Sequence, residues 1–305
     1  MTTQAFLAPP PRSRPLGKTG LTVSGLSWGM WRFKGNDVAA ARALVDAALE
    51  SGITLFDTAD IYGPDNGEAF GASEALLGKV FAADRSLRRK MVLATKGGIV
   101  IGTPYDSSAA YLSSAIDASL SRLGVDHVDL WQIHRPDILT HPQEIARTLE
   151  DAHKSGKIGA IGVSNFTPAQ IETLAHFLTV PIASTQPEYS ALTLGPLVAG
   201  KLDQAMRMDM AVLAWSPLGG GRIADPRSER ERAVAATLKK VADQYGVSVT
   251  AAAFSWIMAH PSRPIPIVGS QTPARIRESA DAYKVQWTRA DWYAVLTASR
   301  EEPLP

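Results

Sequence analysis

Cysteine is absent from all 305 residues. That excludes disulfides, zinc–thiolate sites, iron–sulfur clusters and a thiol nucleophile. It fits a reducing compartment, and a cytoplasmic location is expected. An excess of either charge is also missing, with 31 Lys and Arg against 30 Asp and Glu. A nucleic-acid or acidic-membrane partner needs a basic surplus or stripe, so neither is expected. No run approaches the roughly 18 apolar residues of a membrane span. The opening MTTQAFLAPPPRSRPLG has no apolar core, so no secretory signal is expected there.

Three motifs are lacking as well. No strand–GxGxxG–helix fingerprint occurs, which weighs against a Rossmann fold. No HExxH or other metal spacing occurs, and no metal is expected. His127, His134 and His141 are evenly spaced but fall before, at the end of and after one predicted strand. Gly17–Thr19 reads Gly-Lys-Thr, but a phosphate-cradling loop needs glycine where Arg12 stands. PLGKTGLTV reads instead as an N-terminal hairpin with its turn at these residues.

What is present is a rhythm. Short apolar runs alternate with amphipathic segments of helical length: VSGLSWG, ITLFDTA, MVLATK, VDLWQIH, IGAIGVSN, IASTQPEYS, AVLAWSP and IPIVGS. Glycines 52, 124 and 156 end the intervening helices as C-caps. Helices are predicted over Ser107–Leu123, Gln143–Ser155 and Thr272–Ala280, and Asp225–Arg232 reads as a charged, solvated loop. About eight strand–helix units suit a closed barrel, although an open doubly wound sheet shows the same alternation. No repeat or second-domain linker is visible. The expected organisation is an extended tail over 1–15 and one domain over 16–305.

In a barrel, chemistry gathers where strands end at the C-terminal face. Asp57 closes ITLFD, Lys96 closes MVLATK, His134 closes VDLWQIH, and Tyr62 follows Asp57 in DTADIYG. Singly, each has an ordinary structural use. Together they form a coherent relay. A phenol is a poor acid near neutrality unless its anion is stabilised. An ammonium does this, and a carboxylate can hold that ammonium charged and oriented. A neighbouring histidine can hydrogen-bond and orient a carbonyl.

FDTADIYG, VLATKGG, DLWQIHRP, IGAIGVSNF, the strand with Gln186, AWSPLGGG and IPIVGS…ARIRES occur in the order seen in aldo-keto reductases. From about Leu16 to Ala282 the chain resembles that family. The resemblance implies a (β/α)8 TIM barrel with an N-terminal β-hairpin and extra peripheral helices, at Ser248–His260 and Thr288–Arg300. It implies NADPH-dependent reduction of a small aldehyde or ketone, with Tyr62 as proton donor, Asp57 and Lys96 as its tuning pair, and His134 orienting the carbonyl. It assigns Ser164, Asn165 and Gln186 to the nicotinamide carboxamide and Trp215 to stacking on the ring. Ser216, Pro217, Leu218, Gly219 and Gly220 would pass over the pyrophosphate. Gly29, Met30 and Trp31, with Asp57, would border the reacting end. Gly269, Ser270, Gln271, Arg275 and Ser279 would meet the adenosine end. Many relatives carry lysine where Gly269 stands and asparagine where Ser279 stands. NADPH preference then rests mainly on Arg275, helped by Ser270. Trp31, Tyr105 and Trp131 are the candidate substrate residues.

Three rival readings remain at this level. Lys96 could form a Schiff base in a lyase. The chain could bind NADPH as a non-catalytic sensor. A metal-dependent barrel hydrolase is the third. A monomer is the default expectation.

Overall fold

A computed structural model describes residues 5–300. Residues 1–4 of the expected tail and 301–305 of the expected domain lie outside the described residues. The chain enters as a hairpin. Strands β1 (Ser13–Pro15) and β2 (Thr22–Ser24) pair antiparallel, with Ser13 opposite Ser24. The Gly-Lys-Thr segment lies between them, and Gly17 turns there with φ 57°. A Cβ at Gly17 would stand 2.6 Å from the Ala183 carbonyl oxygen, so the turn is pressed against the barrel wall. Leu16 and Val23 are buried with Leu55, Ala94, Leu130, Ala183, Leu213 and Ile265, filling the barrel from its floor. Part of the expected tail is therefore built into the fold: Ser13–Pro15 form a strand, and Arg263 donates to the Ala8 and Pro9 carbonyls.

The remaining eight strands are β3 (Ser27–Gly29), β4 (Leu55–Asp57), β5 (Val92–Gly97), β6 (Leu130–Ile133), β7 (Ile161–Ser164), β8 (Ile182–Gln186), β9 (Ala211–Ala214) and β10 (Ile265–Val268). All neighbours are parallel, and β10 closes on β3 to make a barrel. The α/β barrel is thus the fold. The run VSGLSWG is two strands rather than one. Ser24 and Thr54 exchange hydrogen bonds, and Gly25 passes so close to Pro11 that a Cβ would meet its carbonyl at 2.4 Å. The chain bends there from floor to wall.

Helices α1 (Val38–Glu50), α2 (Ala72–Ala83), α3 (Ala109–Leu123), α4 (Pro142–Lys154) and α5 (Pro168–Phe177) follow β3 to β7 in turn. Two short helices, α6 (Gly195–Val198) and α7 (Lys201–Arg207), connect β8 to β9. Asp37, Ser108 and Thr167 accept backbone N–H bonds at the starts of α1, α3 and α5, and these caps fix where the helices begin. Helix α8 (Glu229–Tyr245) begins inside the segment expected to be a loop. Ser228 and Glu231 form a reciprocal capping box, which turns the charge run into a helix start. Helix α9 (Val249–Met258) and, beyond α10 (Pro273–Glu278), α11 (Arg289–Ser299) are the two extra helices, within a residue or two of the expected bounds. Trp256 of α9 and Trp292 of α11 stack at 4.9 Å and exchange indole-to-carbonyl hydrogen bonds. No helix among the described residues is long and apolar enough to cross a membrane.

Candidate active site

Parallel strands bring their C-terminal ends to one rim, and β4, β5 and β6 are neighbours in the barrel. Asp57, Lys96 and His134 therefore meet there, with Tyr62 reaching back from the loop after β4. Lys96 is fully buried and donates to Asp57 Oδ2 at 2.6 Å and to the Thr58 carbonyl at 2.8 Å. Its ammonium lies 5.0 Å from the centre of the Tyr62 ring, and the Tyr62 and His134 rings are 5.9 Å apart, edge to face. The other Asp57 oxygen accepts from Gln186 at 2.9 Å and from Gln132 at 3.2 Å. Three side chains thus fix one carboxylate.

Electrostatics follow from this packing. Burial alone would lower the Lys96 pKa, but the Asp57 carboxylate and the Tyr62 hydroxyl outweigh it and hold the ammonium above its ordinary value. Burial pushes the Tyr62 phenol up, and Lys96 opposes that rise without cancelling it. His134 is held well below the usual imidazole range by burial, then by the nearby Lys96 and Arg135 cations. The site at neutral pH therefore contains a charged lysine, a protonated phenol and a neutral imidazole. His134 Nδ1 is buried without a hydrogen-bond partner among the described residues. An unpartnered acceptor costs less than an unpartnered N–H, so the ring proton belongs on Nε2.

Around the same rim, Ser164 donates to the Gln186 carbonyl, and Asn165 donates to the His134 carbonyl and to Ser164 Oγ. Asn165 accepts from the indole of Trp215 at 2.9 Å. Asn165 and Ser216 both take left-handed backbone angles, φ 63° and 53°, uncommon for residues with a Cβ and concentrated at functional rims. Ser216 Oγ accepts from the Gly220 amide, beginning a turn in which Gly219, Gly220 and Gly221 all have positive φ. Pro217 is buried in this turn and Leu218 is half-buried. Nothing lies within 4 Å of a Cβ built at Gly220 or Gly269, so both leave backbone open to a ligand.

Other candidates differ in what they offer. Gly29 lies against Ile267, where a Cβ would clash at 2.5 Å, and its carbonyl accepts from Gln271. Met30 is fully buried in the shell beneath the helices, so only its backbone reaches the rim. The Ser270 carbonyl accepts from the Trp28 indole. Ser279 is buried and donates to the Ile276 carbonyl at the end of α10, turned away from open space. Arg275 is exposed, with no ion-pair partner among the described residues.

Of the substrate candidates, Trp31 and Tyr105 are exposed at the rim, and Trp31 donates to Asp65 in the loop after Tyr62. Trp131 does not join them. It is fully buried on the outer face of β6, packed with Ile133 in the shell under the helices. A wall position facing the helices cannot line the mouth, which corrects the sequence reading. Two residues not singled out from sequence belong to the site. Gln132 faces inward and braces Asp57, as its two-residue offset from His134 in a strand would have shown. Arg135 is half-buried directly after His134, and its guanidinium lies 5.8 Å from the Trp215 ring.

Barrel, rim and relay together define a carbonyl-reducing oxidoreductase of the barrel type. The aldo/keto reductase family model matches residues 25–299, and the chain belongs to that family, whose members are typically NAD(P)H-dependent. It is 57% identical over 298 residues to a 6-dehydroglucose reductase of Novosphingobium aromaticivorans, covering 97% of this chain and 98% of the relative. A 6-dehydroglucose reductase of Agrobacterium fabrum is 35% identical, covering 91% and 94%. The barrel also superimposes on the crystal structure of a thermostable aldo-keto reductase in complex with the inhibitor epalrestat, with a TM-score of 0.80 at 24% identity over 94% of this chain and 99% of that one.

Proposed function

We propose that the chain reduces the aldehyde of a small hydroxylated substrate with NADPH, and that a hexose oxidised to an aldehyde at C6 is its substrate class. The observation that carries the chemistry is Lys96, buried, bonded to Asp57 and facing the Tyr62 ring. The rim fits a dinucleotide: a half-buried Trp215 held at its indole nitrogen, open glycine backbone at 220 and 269, and an unpaired Arg275 for a 2′-phosphate. Trp215, Ser164, Asn165 and Gln186 would hold the nicotinamide, and residues 216–220 the pyrophosphate.

When bound, NADPH supplies the hydride that reaches the carbonyl carbon. The carbonyl oxygen then gains negative charge, and Tyr62 transfers its proton to that oxygen. The phenolate left behind faces the Lys96 ammonium, which Asp57, Gln132 and Gln186 keep in place, until solvent reprotonates it. His134 donates from Nε2 to the same oxygen and fixes its direction. Because Lys96 is held charged by Asp57, it is a poor amine nucleophile, which disfavours a Schiff-base lyase. The complete relay disfavours a non-catalytic sensor.

The substrate class is supported by two relatives named 6-dehydroglucose reductase and by Arg135. Arg135 has an aromatic contact but no ion-pair partner among the described residues, so its donors are available to hydroxyl oxygens next to the reacting carbonyl. The test is NADPH oxidation across a carbonyl panel containing 6-dehydroglucose, glyceraldehyde and benzaldehyde. Preference for the hydroxylated aldehydes, lost in Arg135→Met, supports the proposal. Wild-type preference for benzaldehyde overturns the substrate class, and an unchanged preference in Arg135→Met removes Arg135 from its recognition.

A further inference from the structure

Asp60 stands two residues before Tyr62 and is 1% exposed, yet neither carboxylate oxygen has a well-formed hydrogen bond among the described residues. A buried anion without donors is costly, so its retention beside a relay calls for an account. Its own backbone amide donates to the Lys96 carbonyl at 3.0 Å. A Cβ at Gly97 would lie 3.0 Å from Asp60 Oδ2 and 2.7 Å from the Trp131 ring, and one at Gly98 would lie 3.6 Å from Ser107 Oγ. Trp131 Nε1 and Ser107 Oγ are themselves buried without partners among the described residues. Three unpartnered polar groups thus flank the Gly97–Gly98 end of β5. The Gly97 carbonyl there accepts from the His134 amide at 2.9 Å.

We propose that Asp60 is a positioning residue of the reductase centre, acting as a protonated carboxylic acid that joins Trp131 and Ser107 through enclosed water behind the peptides carrying Lys96 and His134. The proposal rests on Tyr62, Lys96 and His134 being the reducing machinery. A neutral acid has both an O–H to donate and a carbonyl to accept, so it can serve water between it and its two neighbours in either sense. The other carboxylate nearby, Glu74 of α2, is already satisfied by Thr95 and by Arg122 of α3. Burial, then the Glu74 charge, pushes the Asp60 carboxyl up to about 8, against Arg122, the Ile61 amide and Lys96 of β5. The Asp60 charge in turn raises two neighbouring phenols, Tyr111 of α3 and Tyr62. Ionisation of Asp60 places an anion near Tyr62, raises the phenol further and makes it a weaker acid. Turnover should therefore step down as Asp60 ionises, before Tyr62 itself titrates.

The experiment is a kcat profile from about pH 6 to 10 for wild type, Asp60→Asn and Asp60→Ala, with an accepted aldehyde at saturating NADPH. Asparagine mimics the neutral acid. Asp60→Asn should keep turnover within about threefold of wild type at neutral pH and lose the step near pH 8, whereas Asp60→Ala should lose about tenfold or more in kcat with little change in KM. Infrared spectroscopy gives a second readout: a protonated-carboxyl band in wild type at neutral pH, absent from Asp60→Asn. A profile of Asp60→Asn that superimposes on wild type, or no such band, overturns the proposal. If Asp60→Ala fails to fold, the asparagine variant and the band decide. A fully active Tyr62→Phe would sink the mechanism beneath it; an inactive Tyr62→Phe with an unchanged Asp60→Asn profile sinks only this inference.

Discussion

The indole nitrogen of Trp215 donates to Asn165 Oδ1 at 2.9 Å, while Asn165 Nδ2 donates back to the His134 carbonyl at 3.2 Å. One side chain with left-handed backbone thereby ties the proposed nicotinamide seat to the strand that carries the imidazole. Asn165→Ala removes both bonds and places a less tolerant residue at φ 63°. It should weaken NADPH binding by about 1–2 kcal/mol and lower the melting temperature. Fluorescence titration, with Trp215→Phe to assign the signal among the seven tryptophans, checks this. Unchanged affinity in Asn165→Ala would separate Trp215 from the cofactor.

Arg275 is exposed on α10, and Gly269 brings no side chain of its own to the rim. Discrimination for the 2′-phosphate should therefore be concentrated in one guanidinium. Arg275→Ala should lose about 1.5–3 kcal/mol of NADPH affinity with NADH affinity nearly unchanged, as for one charged hydrogen bond. Equal losses for both cofactors would show that Arg275 does not read the phosphate.

The lowered His134 pKa has a definite pH signature. Below about pH 6.5 the unfolded histidine takes up a proton that the folded one resists, so the unfolded state binds more protons and stability is lost as pH falls. Above the unfolded pKa the contribution is complete and flat. His134→Gln should reduce the loss of stability between about pH 6.5 and the low folded pKa. Denaturant midpoints measured across that window test it, and a parallel pH dependence in the variant would contradict it. No acid limb near the ordinary histidine pKa is expected in kcat.

Much of this architecture was legible because parallel strands end at one rim, so Asp57, Lys96 and His134 could be read from run endings alone. What failed did so by phase and by context. Trp131 was placed at the mouth although it sits one residue from Gln132 and three from His134, on the opposite face of a period-two strand. The same parity would have found Gln132. Ser228 and Glu231 sit within a charge run, where the Ser-x-x-Glu spacing of a capping box outweighs the charge and starts a helix. VSGLSWG reads as one strand until the close approach of Gly25 to Pro11 divides it, a tertiary contact no local pattern contains. Asp60 was invisible for the same reason: its burial is produced by α2, α3 and Gly97 together.

In the proposed reduction Tyr62 delivers the proton while Lys96 and Asp57 stabilise its anion. Tyr62→Phe keeps the ring beside His134 and removes only the hydroxyl. NADPH affinity should survive, and turnover should fall by roughly 10²–10⁴ or more. Lys96→Met should be comparably severe, and the double variant should lose far less than the two losses combined because the pair acts as a unit. Single-turnover NADPH oxidation by Tyr62→Phe with an accepted aldehyde measures the step itself. A rate reduced by those orders of magnitude is predicted; a rate close to wild type would show that the proton comes from elsewhere.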